Sequence, residues 1–268
     1  MRAPPYFLQM ISLKGRAALV TGGGQNLGFE IATGLAEAGA DVVITSRESK
    51  KAADAADRLA KAHGVKALGL ALDVRNEAAV IEIFRLAAET FGGLDILVNN
   101  AGGSVAATGK LETEPLESWQ DLLDLNLTGT FLCLREAARR MMPRKKGAII
   151  NIASVSSLVG RDRSVYAGTT MRNPVGYTAA KAGVIGLTYD AAAYLGAHGI
   201  RVNAVSPGGF ERGQPGSFIA GYSARTMLGR MGRDGWDLKG AVAFLASDAA
   251  AYITGHNLVV DGGFTRFK

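Results

Sequence analysis

The sequence predicts an α/β protein: a doubly wound parallel sheet of seven strands, folded as one domain. Three observations carry this. Short β-branched and apolar runs alternate with longer stretches rich in Ala and Leu at three-and-four spacing, the pattern of βαβ units. A glycine cluster, T-G-G-G-Q-N-L-G, follows the first apolar run and opens the first helical stretch. With 268 residues, 48% of them hydrophobic, the chain can bury a full core, and no proline-rich or low-complexity stretch marks a linker.

The expected strands are Ala17 to Thr21, Asp41 to Thr45, Lys66 to Leu72, Leu94 to Val98, Ala148 to Ile152, Ile200 to Val205 and Asn257 to Val260. Helical stretches start near Leu27, Lys50, Glu77, Pro115, Val175 and Trp236. Two of these, Pro115 to Met142 and Val175 to His198, are longer than covering the sheet requires, and their spare apolar surface is a candidate subunit face. Residues 1–14 hold two early prolines, one basic residue before Lys14 and no sustained apolar run, so they read as an extended arm rather than a signal peptide.

Composition narrows the function classes. The single cysteine, Cys133, reads as a small core residue and fits a reducing compartment; with no apolar run of about 18 to 20 residues, the expectation is a cytoplasmic protein that does not cross a membrane. The net charge is +6, yet the 30 Lys and Arg are spread along the chain. No basic run exceeds Arg144-Lys145-Lys146, which reads as a solvated helix end, so nucleic acid is not an expected partner. A positive field would help to collect an anionic cofactor or substrate. His63, His198 and His256 are scattered, and nothing has metal-ligand spacing.

In open α/β sheets ligands bind beyond the carboxyl ends of the strands. At the first such end, Thr21, Gly22, Gly24, Gln25, Asn26, Leu27 and Gly28 form a turn where Gly22 and Gly28 permit close backbone approach and helix amides face a pyrophosphate. Asn26 stands where a glycine is common, and Asn tolerates a positive φ. At the second, Ser46 and Arg47 replace the carboxylate that would hold an adenosine ribose, and offer a donor and a cation to a 2′-phosphate. NADP is therefore the expected cofactor, with NAD as the alternative. Asp73, followed by Val74, is placed to accept from an adenine amino group, and Asn99, Asn100, Ala101 and Gly102 to lie beside a nicotinamide ribose. Asn126 falls mid-helix, where Asn is a poor former; it either carries a water-mediated proton path to Lys181 or merely bends the helix. Tyr177 and Lys181, at i and i+4, share one helix face, so an ammonium can stand beside a phenol.

These motifs, in order T-G-G-G-Q-N-L-G, N-N-A-G, N-I-A-S, Y-T-A-A-K, V-N-A-V-S-P-G and V-V-D-G-G, resemble the short-chain dehydrogenase/reductase family over nearly the whole chain. The resemblance implies a Rossmann fold and hydride transfer between a nicotinamide and a secondary alcohol or ketone. It assigns Tyr177 as the acid or base on the substrate oxygen and Lys181 as the group that holds the nicotinamide ribose and lowers the tyrosine pKa. Ser154 would hydrogen-bond the carbonyl or alcohol, Asn126 would complete a proton relay, and Pro207 and Gly208 would border the cofactor. A free tyrosine titrates near 10, so work at neutral pH requires about 4 kcal/mol of preference for the phenolate. The family is commonly tetrameric, so a homo-tetramer is expected, with a dimer as the alternative.

Two departures locate the specificity. The serine of the family stands roughly a dozen residues before the tyrosine, but here 177 minus 154 is 23, so residues 155–176 form an extended loop. Ser164, 13 residues before Tyr177, is a rival for the serine role, though Ser154 directly ends a strand. The loop carries Arg161, Arg163, Tyr166 and Arg172, and Arg212 stands where the family often has a threonine; one of these arginines is a candidate for an anionic or polyhydroxylated substrate. Residues 209–233 read as a segment that closes over substrate. The late pattern is similar to members acting on sugar acids and polyols, gluconate 5-dehydrogenases among them, and also to 3-oxoacyl-thioester reductases. A catalytically silent nucleotide-binding protein is the reading from another class, which turnover of any carbonyl or alcohol would remove.

Overall fold

The computed structural model describes residues 6–104, 110–171 and 173–267. In chain order these form α1 (Phe7–Ile11), β1 (Ala17–Val20), α2 (Asn26–Glu37), β2 (Asp41–Ser46), α3 (Ser49–His63), β3 (Ala67–Ala71), α4 (Glu77–Phe91) and β4 (Ile96–Asn99). The second half continues with α5 (Leu116–Leu123), α6 (Gly129–Met141), β5 (Gly147–Ile152), α7 (Val175–Gly196) and β6 (Ile200–Pro207). It ends with β7 (Phe210–Glu211), α8 (Gly216–Ser223), β8 (Gly232–Arg233), α9 (Lys239–Ala246) and β9 (Asn257–Val260).

Seven parallel strands make one sheet in the order β3-β2-β1-β4-β5-β6-β9, while the short β7 and β8 pair separately. Both faces are covered, which is why the strands read as continuous apolar runs. Successive residues of β1 point to opposite faces: Ala18 and Val20 pack with Ile31, Leu35 and Leu245, whereas Leu19 packs with Val80, Phe84 and Cys133. Each such buried Leu, Ile or Val contributes about 1.5–3 kcal/mol relative to exposure. The strand order reverses between β1 and β4, so the crevice beyond their carboxyl ends is where this fold accepts a ligand.

Three sequence expectations change in detail. The N-terminal arm is not extended throughout, since Phe7–Ile11 is helical. The helix expected from Trp236 starts at Lys239, because the preceding residues form a turn in which Asp237 binds Arg230 and Arg233. Arg144 and Lys146 are not merely solvated: Arg144 donates to the Leu94 carbonyl at 2.9 Å and both cations pair with buried Asp95. Asp95 in turn accepts from the Ala17 amide, so this cluster fixes the amino ends of β1 and β4.

The long helix expected from Pro115 to Met142 is present but interrupted, with one π-helical turn over Asp124–Thr128 joining α5 to α6. Asn126 sits in that turn, fully buried, and its Nδ2 donates to the Leu122 carbonyl at 2.9 Å. The Thr130 hydroxyl donates to the Asn126 carbonyl at 2.9 Å. Side chains thus serve carbonyls at an irregular turn.

A buried polar chain crosses the sheet to α7: Asn99 Nδ2 donates to Asn151 Oδ1 at 2.9 Å, and Asn151 Nδ2 donates to the Thr188 hydroxyl at 2.9 Å. All three side chains are buried, so their mutual bonds replace lost water. Truncation of the middle member strands both neighbours. N151A is expected to lower stability by about 2–4 kcal/mol in urea unfolding, well above the effect of an exposed Asn to Ala change.

Candidate active site

The glycine turn is built by backbone contact. Gly22 has φ +64°, and a Cβ there would lie 2.9 Å from the Ala101 Cα; a Cβ on Gly28 would lie 2.2 Å from the Gly22 carbonyl oxygen. No larger residue fits either place without moving backbone. Asn26 takes the left-handed φ of 51° expected of it. Thr21 Oγ1 accepts from the amides of Asn100 and Ala101, both at 3.0 Å, and Asn100 Nδ2 donates to the Thr21 carbonyl at 2.9 Å. The T-G-G-G and N-N-A-G motifs therefore form one unit across the β1–β4 switch point.

Gly102 continues that unit toward the chemistry. A Cβ on it would lie 2.6 Å from Asn126 Oδ1 and 3.3 Å from Lys181 Nζ. Asn126 clamps the next residue reciprocally, its Oδ1 accepting from the Gly103 amide at 2.9 Å and its Nδ2 donating to the Gly103 carbonyl at 3.0 Å. The side chain of Asn126 is thus committed to shaping the cleft floor.

Tyr177 and Lys181 lie on the same face of α7, with Lys181 Nζ 5.8 Å from the Tyr177 ring centroid. Lys181 donates to the Ile152 carbonyl at 2.7 Å, which joins α7 to the end of β5. Two residues on, Ser154 hydrogen-bonds Tyr177. Ser154 Oγ also accepts from the Ser156 amide at 3.2 Å and the Ser156 hydroxyl at 3.0 Å. With its acceptor sites used, the hydroxyl of Ser154 has its proton left to give, toward Tyr177 or a substrate oxygen. Ser156 escapes sequence reasoning, although S-V-S directly after a strand is the signal. Ser164 is elsewhere: exposed, its hydroxyl accepts from Arg225 at 2.9 Å.

Burial dominates the electrostatics of the pair. In the protein itself the Tyr177 hydroxyl is pushed above its ordinary value, because burial outweighs the Ser154 hydrogen bond and the charges of Arg161 and Arg212. Burial also lowers the Lys181 ammonium to about 8, so its hold on the proton is weakened. Lys181 is therefore not the dominant influence on the phenol here; desolvation acts on both groups and opposes both charged forms.

Three cavities run end to end along the strand termini. One of about 170 Å³ is lined by Gly24, Gln25, Ser46, Arg47, Glu48, Lys51, Asp73, Val74 and Ala101. The next, about 290 Å³, is lined by Asn26, Leu27, Gly28, Asn100, Gly102, Lys181, Pro207 and Gly208. The third, about 330 Å³, holds Arg161, Tyr166, Phe210, Phe218, Tyr222 and Phe264. Ser154, Tyr177, Gly208 and Arg212 line both the second and the third, so the reactive hydroxyls stand at their junction.

Lys51 is a second cation at the far end that the motif reading misses, since it lies on α3 beyond the strand-end motif; it pairs with Glu48 at 2.6 Å. Asp73 is bound by the Arg75 guanidinium at 2.7 Å, which holds its carboxyl below the usual range and occupies part of its acceptor capacity. Of the arginines singled out, Arg161 and Arg212 line the third cavity; Arg163 is exposed and does not line it, and Arg172 lies outside the described residues.

The walls of that cavity come from two segments. Val165 of the long loop packs with Phe218, Tyr222 and Met231, and Tyr222 stacks on Phe264 with centroids 4.5 Å apart. Arg225 ties them, binding Asp162 through Nε and the Ser164 hydroxyl through Nη2. Residues 209–233 thus carry α8 and share a small core with the long loop.

Known proteins resemble this chain throughout. The family described as enoyl-(acyl carrier protein) reductase matches residues 22–265. A 3-oxoacyl-[acyl-carrier-protein] reductase of Synechocystis sp. is 38% identical, the match covering 96% of this chain and 100% of the relative. A cis-4-hydroxycyclohexanecarboxylate dehydrogenase of Sinomonas cyclohexanicum is 39% identical, covering 93% of this chain and 96% of the relative. Among solved structures, a gluconate 5-dehydrogenase of Burkholderia cenocepacia in complex with NADP and tartrate superposes with TM-score 0.87 at 36% identity, over 97% of this chain and 99% of that one. The chain belongs to the short-chain dehydrogenase/reductases, a family of nicotinamide-dependent oxidoreductases. No helix among the described residues is long and apolar enough to cross a membrane.

The depressed Lys181 value links pH to stability. The unfolded chain holds this proton to about 10.5 and the folded chain only to about 8, so the folded state gains stability as pH rises between them. The full gain is about 3 kcal/mol. In urea unfolding, wild type is expected to rise relative to K181M between about pH 7 and about pH 10, and parallel profiles would contradict the assignment.

Proposed function

We propose that this protein interconverts a secondary alcohol and a ketone on a small hydroxylated substrate, with NADP(H) as its cofactor. The observation that carries the reading is the placement of Ser154 and Tyr177 at the junction of two cavities, with Lys181 behind them. The fit of a dinucleotide rests on the glycine turn, where Cβ atoms at Gly22 and Gly28 would collide with backbone, and on the cations at the far end. Ser46, Arg47 and Lys51 suit a 2′-phosphate, and the gluconate 5-dehydrogenase relative holds NADP. NAD remains the alternative, and Glu48 is the carboxylate at that end which would favour it.

Bound there, the nicotinamide supplies or accepts the hydride, and in its oxidised form adds positive charge near Tyr177. The residues do the rest. Tyr177 gives a proton to the carbonyl oxygen in reduction and takes it from the alcohol in oxidation. Ser154 donates to the same oxygen, and Lys181 holds the ribose and favours the phenolate. Asn126 supports this through Gly103 and the cleft floor; a relay role for it is part of the proposal.

The substrate reading is a sugar acid, polyol or related small carbohydrate. Arg212 supports the acid: exposed at the cavity junction, its guanidinium has no hydrogen bond or ion pair with any described residue. A 3-oxoacyl thioester is the second reading, favoured by the apolar wall of Val155, Val159, Val165, Met171 and Phe218. Residues 209–233 would cover the substrate in either case. Exposed Phe131, Tyr189 and Tyr194 on α6 and α7 support a homo-tetramer, which sedimentation would reveal as about four times 28.0 kDa.

A panel of gluconate, cis-4-hydroxycyclohexanecarboxylate and a 3-oxoacyl thioester with each cofactor tests the function. Y177F is expected to lower kcat about a thousandfold and S154A about a hundredfold, while S164A leaves it unchanged. The reverse order for the two serines would overturn the serine assignment. Removing the charge of Arg47 or Lys51 is expected to raise KM for NADPH about tenfold and to leave KM for NADH near wild type.

A further inference from the structure

Arg161 stands on the long loop, beside the catalytic tyrosine. Its guanidinium is held at both ends, Nη1 donating to the Asn173 carbonyl and Nη2 to the Thr178 hydroxyl, each at 2.7 Å. So held, its Cζ lies 5.9 Å from the Tyr177 ring centroid. It is partly buried in the cavity wall, and no carboxylate among the described residues pairs with it. The adjacent carboxylate, Asp162, is exposed and bound by Arg225. A desolvated cation without a counter-ion is costly, and burial does weaken its hold on a proton.

The groups that face Tyr177 are few. Lys181 stands on its own helix, Ser154 just after β5, Arg161 and Tyr166 on the long loop, and Arg212 after β7. Lys181 spends a donor on the Ile152 carbonyl, and Arg212 is exposed and untethered. Tyr166 is desolvated, hydrogen-bonded to Asn173 and held above its ordinary value. Tyr177 is desolvated too, but it is the phenol over whose ring the guanidinium lies and the one the proposed reaction ionises, so its ionisation would give Arg161 a counter-charge.

We infer that Arg161 is a positioning residue, set in place by the long loop, whose fixed charge stabilises the ionised form of Tyr177. It acts on the tyrosine, not on the substrate. This rests on the reading that Tyr177 exchanges the proton, on the place of the guanidinium over the Tyr177 ring, and on the rule that a nearby cation favours an anion.

The test compares R161Q and R161K by the pH dependence of kcat/KM for oxidation of one neutral and one carboxylated secondary alcohol with NADP. A second readout needs no turnover: titration of the Tyr177 Cζ resonance in isotope-labelled protein, assigned by its absence in Y177F. R161Q is expected to move the acid limb up by about one pH unit on both substrates, a loss of about tenfold below the limb and little above it. R161K is expected to stay near wild type. The Cζ titration should move with the limb. If R161Q fails to fold, Thr178→Val, which frees one end of the guanidinium, is expected to shift the Cζ titration in the same direction by less. An unmoved Cζ titration, a loss confined to the carboxylated alcohol, or equal shifts in R161Q and R161K would overturn the inference. Wild type that oxidises neither alcohol sinks the functional reading instead, and the Cζ titration still decides the role of Arg161.

Discussion

The architecture depends on how closely two backbones approach where the strand order reverses. Gly22 lies so near Ala101 that a methyl group would sit 2.9 Å from its Cα, and Gly28 brings the first turn of α2 equally close to Gly22. The Thr21 and Asn100 side chains stitch the two motifs with hydrogen bonds, so the seam between the ends of β1 and β4 is narrow and polar. Everything functional is referenced to this seam. Asn126 and Gly103 extend it, and Gly102 brings it against Lys181. A cleft made of amides and glycines is rigid, because its shape is fixed by the fold and not by rotamers.

Chemistry at the seam is a contest between desolvation and charge. The same enclosure that excludes water raises Tyr177 and lowers Lys181, so the familiar pairing of a phenol with an ammonium does not by itself generate a base at neutral pH. Further positive charge must come from elsewhere. Arg161, Arg212 and an oxidised nicotinamide ring are the sources within reach, and two of them stand on segments that are outside the sheet.

The sheet, the glycine turn and the left-handed Asn26 were legible because each is local: periodicity reports burial on a regular element, and a residue type reports a backbone angle. The breaks were less so. The π-helical turn at Asn126 left only a poor helix former in the sequence, and its clamp on Gly103 pairs residues 23 apart. Lys51 was invisible because its relevance comes from where α3 lies against β2, not from the motif at the strand end. The desolvation of Tyr177 was not readable for the same reason, since it is a property of the packed site. Short helices and exact ends, such as Phe7–Ile11 and the start of α9, depend on turn contacts with no periodic signal.

The join between the long loop and the segment around α8 has a consequence for how specificity can change. Arg225 grips Asp162 and Ser164, and Val165 is buried among Phe218, Tyr222 and Met231, so neither wall of the third cavity is a free-standing part. A graft of the loop alone from a relative would strip Phe218 of its cover and strand the Arg225 charge, and a graft of α8 alone would do the converse. The transferable module is the two segments together, discontinuous in sequence and continuous in space. Recombination at a single crossover between them would yield a sound sheet carrying a broken pocket.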